Sequence, residues 1–243
     1  MNRKVDHKII LAKKKLRKLS KNYKQNFKNI ENYIKKEIYE IKRSNKLSNN
    51  IIPEIKYKEL LSPNLRIIDQ IKKRGCIIIR DVFDQKKIGK LNNDLEKYIE
   101  HNGYYNDQKK KEGLDNYFSD LKSGKPQIYG LYWSKAQIKI RHSQKMAKIK
   151  KFLNNLWVFK NEEYKVFDPN RELSYADRIR RREPGDDSLG LSPHCDAGSV
   201  ERWIDPSYQK IYNDIFADRF KNFNPFDAKF RDCLLYTSDA ADE

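Results

Sequence analysis

Apolar residues recur every three or four positions over the first part of the chain. They are Leu16, Leu19, Tyr23, Phe27, Ile30, Ile34, Ile38 and Ile41. Because these steps average close to one helical turn, they predict a long amphipathic helix over 16–41, ended by Asn49, Asn50 and Pro53. We expect its apolar stripe to pack on the domain that follows; pairing with a second copy and contact with a lipid surface are the second and third alternatives.

The pattern then changes to shorter elements. A connector over 51–63 leads to a predicted helix over 65–74, closed by Gly75, a residue suited to a helix C-terminus. The β-branched run over 75–83 is typical of a strand buried on both faces. Asp84 can cap the next helix, which should end at residues 101–103. The inner stripe of that helix would be Ile88, Leu91, Leu95 and Ile99.

Beyond a polar loop over 104–125, the pattern predicts three strands and two further helices. The strands lie over 128–133, 173–182 and 188–203, and the turn residues at 184–187 favour a hairpin between the second and third. Ser134 or Ser143 could start a helix that runs to Leu156. The last helix opens at residues 205–207 and includes Tyr208 and Ile211.

The charge of the chain is concentrated at one end. Its 243 residues include 52 Lys and Arg against 34 Asp and Glu, a net charge of +18, and residues 1–50 alone hold 16 basic and 4 acidic side chains. Such a basic helical arm could steer a protein toward nucleic acid or an anionic membrane. Lys, Asn, Ile and Tyr are abundant throughout, as A- and T-rich codons would produce, and this disfavours nucleic-acid binding as the explanation.

Cysteine use and hydropathy indicate the compartment. The three cysteines have unrelated spacings that form neither a disulfide framework nor a zinc motif. No apolar run approaches the roughly 20 residues of a membrane span. These features predict a cytoplasmic protein. A mitochondrial presequence is the alternative, because Arg3, Lys4 and Lys8 accompany apolar neighbours, but the use of lysine rather than arginine and serine weighs against it.

A histidine and an aspartate two residues apart form the first candidate site. In a strand, alternate side chains share a face, so His194 and Asp196 can converge on one metal ion while Cys195 points away. An imidazole and a carboxylate are two of the three ligands of a two-histidine, one-carboxylate iron site, and the other histidines all lie upstream. The alternative is a surface aspartate that accepts a hydrogen bond from the neighbouring histidine.

An arginine cluster forms the second candidate site. If 173–182 is a strand, Arg178, Arg180 and Arg182 share one face, and Arg is suited to holding a carboxylate through two parallel hydrogen bonds. We assign Arg178 and Arg180 as candidate residues for binding an anionic cofactor. A charged, solvated strand edge that discourages aggregation is the alternative.

Several segments together resemble one known family. They are 126–135 (PQIYGLYWSK), 175–182 (YADRIRRR), 189–203 (LGLSPHCDAGSVERW) and 224–228 (NPFDA). In these segments the chain is similar to the family called domain of unknown function 1479. That family is related to the phytanoyl-CoA dioxygenase branch of the iron and 2-oxoglutarate oxygenases.

The resemblance implies an α+β fold, a double-stranded β-helix (jelly roll) with flanking helices, in addition to the long N-terminal amphipathic helix. It implies Fe(II) and 2-oxoglutarate as cofactors, with His194 and Asp196 as metal ligands, and a small-molecule substrate that it does not identify. The second metal histidine and the arginine that holds 2-oxoglutarate belong downstream of residue 232. Neither is present in this chain.

The end of the chain explains that absence. Residues 233–243 resemble a translated sequencing adapter, so we interpret them as a non-native tail. The expected organisation is a basic arm over 1–50 and the N-terminal part of a jelly-roll domain, truncated at its C-terminus, over 51–232. We therefore expect a fragment of a dioxygenase-like oxidoreductase that is inactive as it stands. A non-catalytic jelly-roll binding protein is the first alternative, and a basic nucleic-acid binder is the second.

Overall fold

A computed structural model describes most of the chain with side chains. The residues described are 3–20, 22–48, 51–103, 128–129, 131–160, 165–171, 179–180, 184 and 203–227. The prediction of an arm over 1–50, a domain over 51–232 and a tail over 233–243 stays a prediction.

The N-terminal segment forms two helices rather than one. Helix α1 is Arg3–Arg17 and helix α2 is Tyr23–Ser48, so the predicted single helix over 16–41 is wrong at its start. The break has a local cause, because the side-chain amide of Asn26 donates a 2.6 Å hydrogen bond to the hydroxyl of Ser20. Short polar side chains of this kind compete with the helical backbone and favour helix ends. The end of α2 at Ser48 confirms the predicted stop.

A polar row of α2 contacts the rest of the protein. Asn26 donates to the carbonyl oxygen of Phe216 at 2.8 Å, and Asn29 donates to the carboxylate of Asp218 at 2.7 Å. One and two turns further along, Tyr33 packs edge-on against Phe220, and Glu37 pairs with Lys73 at 3.2 Å. These positions are three or four residues apart, so they lie along one face of the helix.

The predicted apolar stripe of α2 is only partly covered. Ile30 and Ile41 are half-buried, but Phe27, Ile34 and Ile38 are 70%, 49% and 45% exposed. The expectation that this stripe packs on the following domain is therefore met only at its margin. The apolar periodicity predicted the helix, whereas hydrogen bonds and one ring contact select the neighbouring face for packing.

A small parallel sheet follows the helical pair. Strand β1, Glu54–Lys56, pairs in parallel with strand β2, Ile78–Arg80, with Ile55 opposite Ile79. A 3-10 helix, Tyr57–Leu61, and helix α3, Leu65–Arg74, connect the two strands. Parallel strands need such a crossover, because a tight turn cannot return the chain in the same direction. Strand β1 lies in the segment predicted as a connector.

Helix α3 has the predicted bounds because both of its ends are capped. The side chain of Asn64 accepts a hydrogen bond from the backbone N–H of Arg66. At the other end Gly75 adopts φ of 69° and donates its N–H to the carbonyl oxygen of Ile71 at 2.8 Å. Glycine takes this left-handed conformation without the steric cost that a Cβ would add.

The first core lies beside the parallel sheet and consists of Ile55, Leu60 and Ile149. Half-buried side chains pack around it, among them Tyr57, Ile67, Ile79, Met146, Phe152 and Leu153. Ile78 and Ile79 of β2 are half-buried and Arg80 is exposed, so the prediction of a strand buried on both faces is wrong. Among the described residues this sheet has two strands, so each of them is an edge there.

Three capped helices build the middle of the chain. Helix α4 is Gln85–His101, helix α5 is Lys135–Arg141 and helix α6 is Gln144–Asn154. Asp84, Ser134 and Ser143 each accept a hydrogen bond from a backbone N–H of the first turn that follows. Both serines that were candidate helix starts therefore begin a helix, and the predicted single helix is two.

The last elements are short. An antiparallel pair joins strand β3, Ile128–Tyr129, to strand β4, Ile179–Arg180. Helices α7, Pro206–Ile211, and α8, Asn213–Phe216, lead to a 3-10 helix, Phe220–Asn222. Stacking of Trp203 on Tyr212, with ring centroids 4.7 Å apart, holds this region together. The last predicted helix is therefore present, in two pieces.

The described residues form a helix-rich mixed α and β structure. Its β structure consists of the parallel pair, the antiparallel pair and isolated bridges. This agrees with the predicted α+β class, but the jelly roll stays a prediction. No described helix is long and apolar enough to cross a lipid bilayer.

Candidate functional site

The antiparallel strand pair includes Arg180, the one predicted site residue within the described structure. Ile128 lies opposite Arg180, and Tyr129 lies opposite Ile179. Strand β3 starts the segment predicted as a strand over 128–133, and β4 lies inside the one predicted over 173–182. The two predicted strands are thus confirmed in part. The structure adds that they are neighbours, although about fifty residues of chain separate them.

A second core, formed by Ile99 and Leu131, supports this pair. Ile99 of α4 is 1% exposed and Leu131, two residues beyond β3, is 4% exposed. Leu95 and Ile179 pack against them. Two residues of the inner stripe predicted for α4, Leu95 and Ile99, therefore belong to the core against which Ile179 of β4 packs. Ile179 immediately precedes Arg180.

A buried polar cluster lies directly after β3. The hydroxyl of Ser134 accepts from the N–H of Gln137, and the side-chain oxygen of Gln137 accepts from the N–H of Ser134, both at 3.2 Å. The amide nitrogen of Gln137 also donates to the carbonyl oxygen of Leu131 at 2.9 Å. Both side chains are buried, so these hydrogen bonds satisfy groups that water does not reach. The cluster fixes the path of the chain out of β3.

Arg141 and Trp133 form a cation–π pair at the same place. The guanidinium carbon of Arg141 lies 5.1 Å from the centroid of the Trp133 ring, and its Nη1 donates to the carbonyl oxygen of Tyr132 at 3.3 Å. Arg141 is 9% exposed and Trp133 is 67% exposed. An indole face is thus presented to solvent above a buried cation.

Sequence reasoning missed the roles of Gln137 and Arg141. The signal for Gln137 was available, because Ser134 followed three residues later by Gln is the pattern of a capping box. No comparable local pattern marks Arg141. Its stacking on Trp133 depends on a turn of the chain at Ser134 that brings α5 back beneath the preceding segment.

The predicted site residues are only partly within the described structure. His194, Asp196 and Arg178 lie outside the described residues, and Arg180 is described as a backbone position of β4 opposite Ile128. Within the described residues, no group of three or more His, Cys, Asp or Glu side chains could hold a metal ion. The metal pair and the anion-binding arginines therefore stay predictions.

The electrostatic perturbations of the described residues are found elsewhere. Hydrogen bonds from Arg80 lower the pKa of Glu54, and those from Lys35 and Lys28 lower the pKa of Glu31. A backbone hydrogen bond from Asn170 lowers the pKa of Asp168. All three carboxylates are at the surface, and their ion pairs are of the kind that contributes little to stability. They do not mark a catalytic centre.

The fold and site define a helix-rich α+β protein in which a short antiparallel strand pair lies on a small core. A family model described as Gig2-like matches residues 3–238. The chain belongs to the Gig2-like family. The resemblance to domain of unknown function 1479 is thereby confirmed, since a protein of Candida albicans with that designation is among the structural relatives.

Three relatives illustrate the extent of the similarity. The uncharacterized protein YbiU of Escherichia coli (strain K12) is 32% identical over 230 residues, which cover 93% of this chain and 54% of that protein. The crystal structure named "Putative Oxidoreductase" from Salmonella typhimurium LT2 is 30% identical with a TM-score of 0.79, over 92% of this chain and 54% of that one. GlcNAc Inducible Gene 2, GIG2 (DUF1479), from Candida albicans is 26% identical with a TM-score of 0.68, over 89% and 45%.

The chain therefore spans about half the length of the relatives it matches. The match begins at residue 3 and so includes the basic segment over 1–50, whereas the segments that carry the family resemblance all lie downstream of it. Helices α1 and α2 thus belong to the family pattern. This agrees with the contacts of α2 to Phe216, Asp218 and Phe220.

Proposed function

We propose that this chain is part of an oxidoreductase that uses Fe(II) and 2-oxoglutarate, with His194 and Asp196 as two of the metal ligands. The observation that carries the proposal is the His-x-Asp pair, which follows the arginine-bearing strand β4. A relative of similar fold is named as an oxidoreductase, which supports the class of reaction. The substrate would be a small molecule, and the cell compartment proposed for the protein is the cytoplasm.

The donor set suits iron. An imidazole nitrogen and a carboxylate oxygen are the protein ligands of non-haem Fe(II) oxygenases, in which a third ligand completes one face of the metal. The family resemblance expects that third ligand, a histidine, in a segment downstream of residue 232. The chemistry that iron and 2-oxoglutarate supply when bound is the activation of oxygen for oxidation of a substrate.

The chain's own contribution is to hold these ligands in place. Strand β4 is attached to α4 through Ile179, so the hairpin that would carry His194 and Asp196 on its second arm starts from a fixed point. Arg178 and Arg180 flank that anchor in sequence. We propose that one of them pairs with a carboxylate of 2-oxoglutarate or of the substrate, since a guanidinium binds a carboxylate through two parallel hydrogen bonds.

Anaerobic titration tests the metal site directly. Fe(II) and then 2-oxoglutarate are added to a protein that has the length of the relatives, and a charge-transfer absorption band is recorded. We expect the band in that protein, and expect it to be lost in the His194→Ala and Asp196→Asn variants. Absence of the band in the unsubstituted protein would refute the proposal.

Matched controls separate a metal ligand from a general loss of structure. His142→Ala and Asp94→Asn remove the same chemical groups at exposed positions of the described fold. Both variants should keep the band at full intensity. Circular dichroism of all four variants should match that of the parent protein; if His194→Ala kept both its fold and the band, His194 would not be a ligand.

A further inference from the structure

A cavity of about 480 Å³ lies beside the first core, at some distance along the chain from the candidate metal pair. Its walls come from three elements: the 3-10 helix Tyr57–Leu61, helix α3 and the C-terminal half of α6 with the residues that follow it. The volume lies within the range of pockets that hold small organic ligands.

The floor of the cavity is hydrocarbon. Leu60 and Leu156 are 8% and 5% exposed, and Ile68 and Phe152 are half-buried beside them. Leu61, also part of the lining, is 82% exposed. An apolar surface of this kind gains free energy when hydrocarbon replaces water, so a ligand with an apolar part fits it.

Three lysines line the same cavity. Lys148 and Lys151 lie one turn apart on α6, and Lys58 comes from the facing 3-10 helix. The ammonium groups of these three lysines form no ion pair or hydrogen bond with another residue in the described part of the chain. Their positive charges are therefore uncompensated there and favour an anion.

Lys145, on the same helix, is a lysine whose ammonium group does have structural partners. Its ammonium group donates a hydrogen bond to the carbonyl oxygen of Val82 and lies 5.2 Å from the centroid of the Tyr57 ring. Lys145 thus ties α6 to the parallel sheet. The ammonium groups of Lys148 and Lys151, on the following turns, have no such partner among the described residues, so they can pair with a ligand.

We propose that this cavity binds a small amphipathic carboxylate, with its hydrocarbon tail on Leu60, Phe152 and Leu156 and its carboxylate among Lys58, Lys148 and Lys151. The combination of an apolar floor and a cationic rim selects this chemical class over neutral hydrocarbons, which leave the lysines unpaired, and over cations, which they repel. The inference goes beyond the proposed iron chemistry and does not depend on it.

Calorimetric titration with decanoate tests the proposal on the unsubstituted protein. We expect saturable binding at one site. Each buried methylene should strengthen binding by about fourfold, so octanoate should bind about fifteenfold more weakly than decanoate. Decyltrimethylammonium, which has a similar tail and the opposite charge, should not bind. Equal binding of the two decyl compounds, or no binding of decanoate, would overturn the inference.

Charge-removing variants then locate the site. The double variant Lys148→Met and Lys151→Met keeps the apolar stems of both side chains and removes their charges. It should weaken decanoate binding at least tenfold. The control double variant Lys90→Met and Lys139→Met removes two exposed lysines that do not line the cavity and should bind as the parent does. Equal affinity in all three proteins would place the binding elsewhere.

Analytical sedimentation with and without decanoate tests the alternative that a second copy of the chain occupies the cavity. The proposal expects the same oligomeric state with and without decanoate. If copies associate through the exposed Leu61 and decanoate dissociates them, the cavity is a protein interface and the ligand proposal is wrong. Because the ligand series uses the unsubstituted protein, it remains decisive even if a variant fails to fold.

Discussion

The two cores of this protein differ in how many side chains pack around them. The first core, Ile55, Leu60 and Ile149, lies against a parallel sheet and is surrounded by many half-buried side chains. The second core, Ile99 and Leu131, has only Leu95 and Ile179 packed against it among the described residues. The smaller core supports strand β4, which includes Arg180. Within the described part of the chain, the packing of this strand therefore depends on few contacts.

The largest expected effect comes from shortening a buried isoleucine in each core. Ile99→Ala and Ile55→Ala should each lower the free energy of unfolding by about 3 kcal/mol, because hydrocarbon contacts are lost and a cavity remains. Urea denaturation measures both losses. Of the two, only Ile99→Ala should weaken iron binding in the longer protein, because Ile179 of β4 packs against the core that contains Ile99. Equal effects on iron binding would contradict the distinction between the cores.

The next effect concerns the polar cluster beside the second core. Gln137→Leu should lower the free energy of unfolding by about 2 kcal/mol, because it leaves the carbonyl oxygen of Leu131 and the N–H of Ser134 without this partner. Gln144→Leu, at an exposed position, is the control and should change stability by less than about 0.5 kcal/mol. A similar result for both variants in urea denaturation would show that the cluster adds nothing to stability.

The N-terminal cap of α4 should have a smaller effect. Asp84→Ala removes the acceptor for the N–H of Lys87 and should cost about 1 kcal/mol of stability. Asp84→Asn keeps an acceptor in the same position and should cost less. Thermal denaturation followed by circular dichroism distinguishes the two, and an equal loss in both would indicate a role for the charge rather than the hydrogen bond.

The smallest effect lies at the surface of the parallel sheet. Arg80 donates a 3.0 Å hydrogen bond from Nη2 to Glu54, and its Nε lies 3.0 Å from the other carboxylate oxygen; this hydrogen-bonded ion pair lowers the pKa of the carboxyl below its usual 4.5. A carboxyl with a depressed pKa in the folded state stabilises the protein above its unfolded pKa, and loses this contribution as the pH falls through the folded value. Glu54→Gln should therefore be slightly less stable than the parent at neutral pH and equal to it in acid.

Salt provides the check on that last prediction. The Glu54 and Arg80 side chains are solvent-exposed, so added salt should screen their attraction and reduce the difference between the parent and Glu54→Gln. Urea midpoints measured at neutral pH with and without added salt would show this. A difference that persists in acid would have a cause other than the ion pair.

Much of the local structure was predictable from sequence because short-range chemistry determines it. Asn64 and Gly75 enclose α3 at the bounds that the pattern predicted, and Asp84 starts α4 as expected. The failures have both local and tertiary causes. The break before α2 depends on a hydrogen bond between Ser20 and Asn26, and the latter also reaches Phe216. An amphipathic pattern predicts which face of a helix is apolar, but it does not predict which face packs against the rest of the protein.

The sequence alone determined the limits of α3 and α4 and the family resemblance that the Gig2-like match confirms. It also supplied the candidate ligands His194 and Asp196, which stay a prediction. Only the tertiary structure decided that β3 pairs with β4, that Ile179 rests on Ile99, and that Arg141 lies beneath Trp133. Caps and periodicities act within a few residues, so they can be read locally. Contacts between segments about fifty residues apart depend on which apolar surfaces are buried against each other. A local sequence pattern does not contain that information.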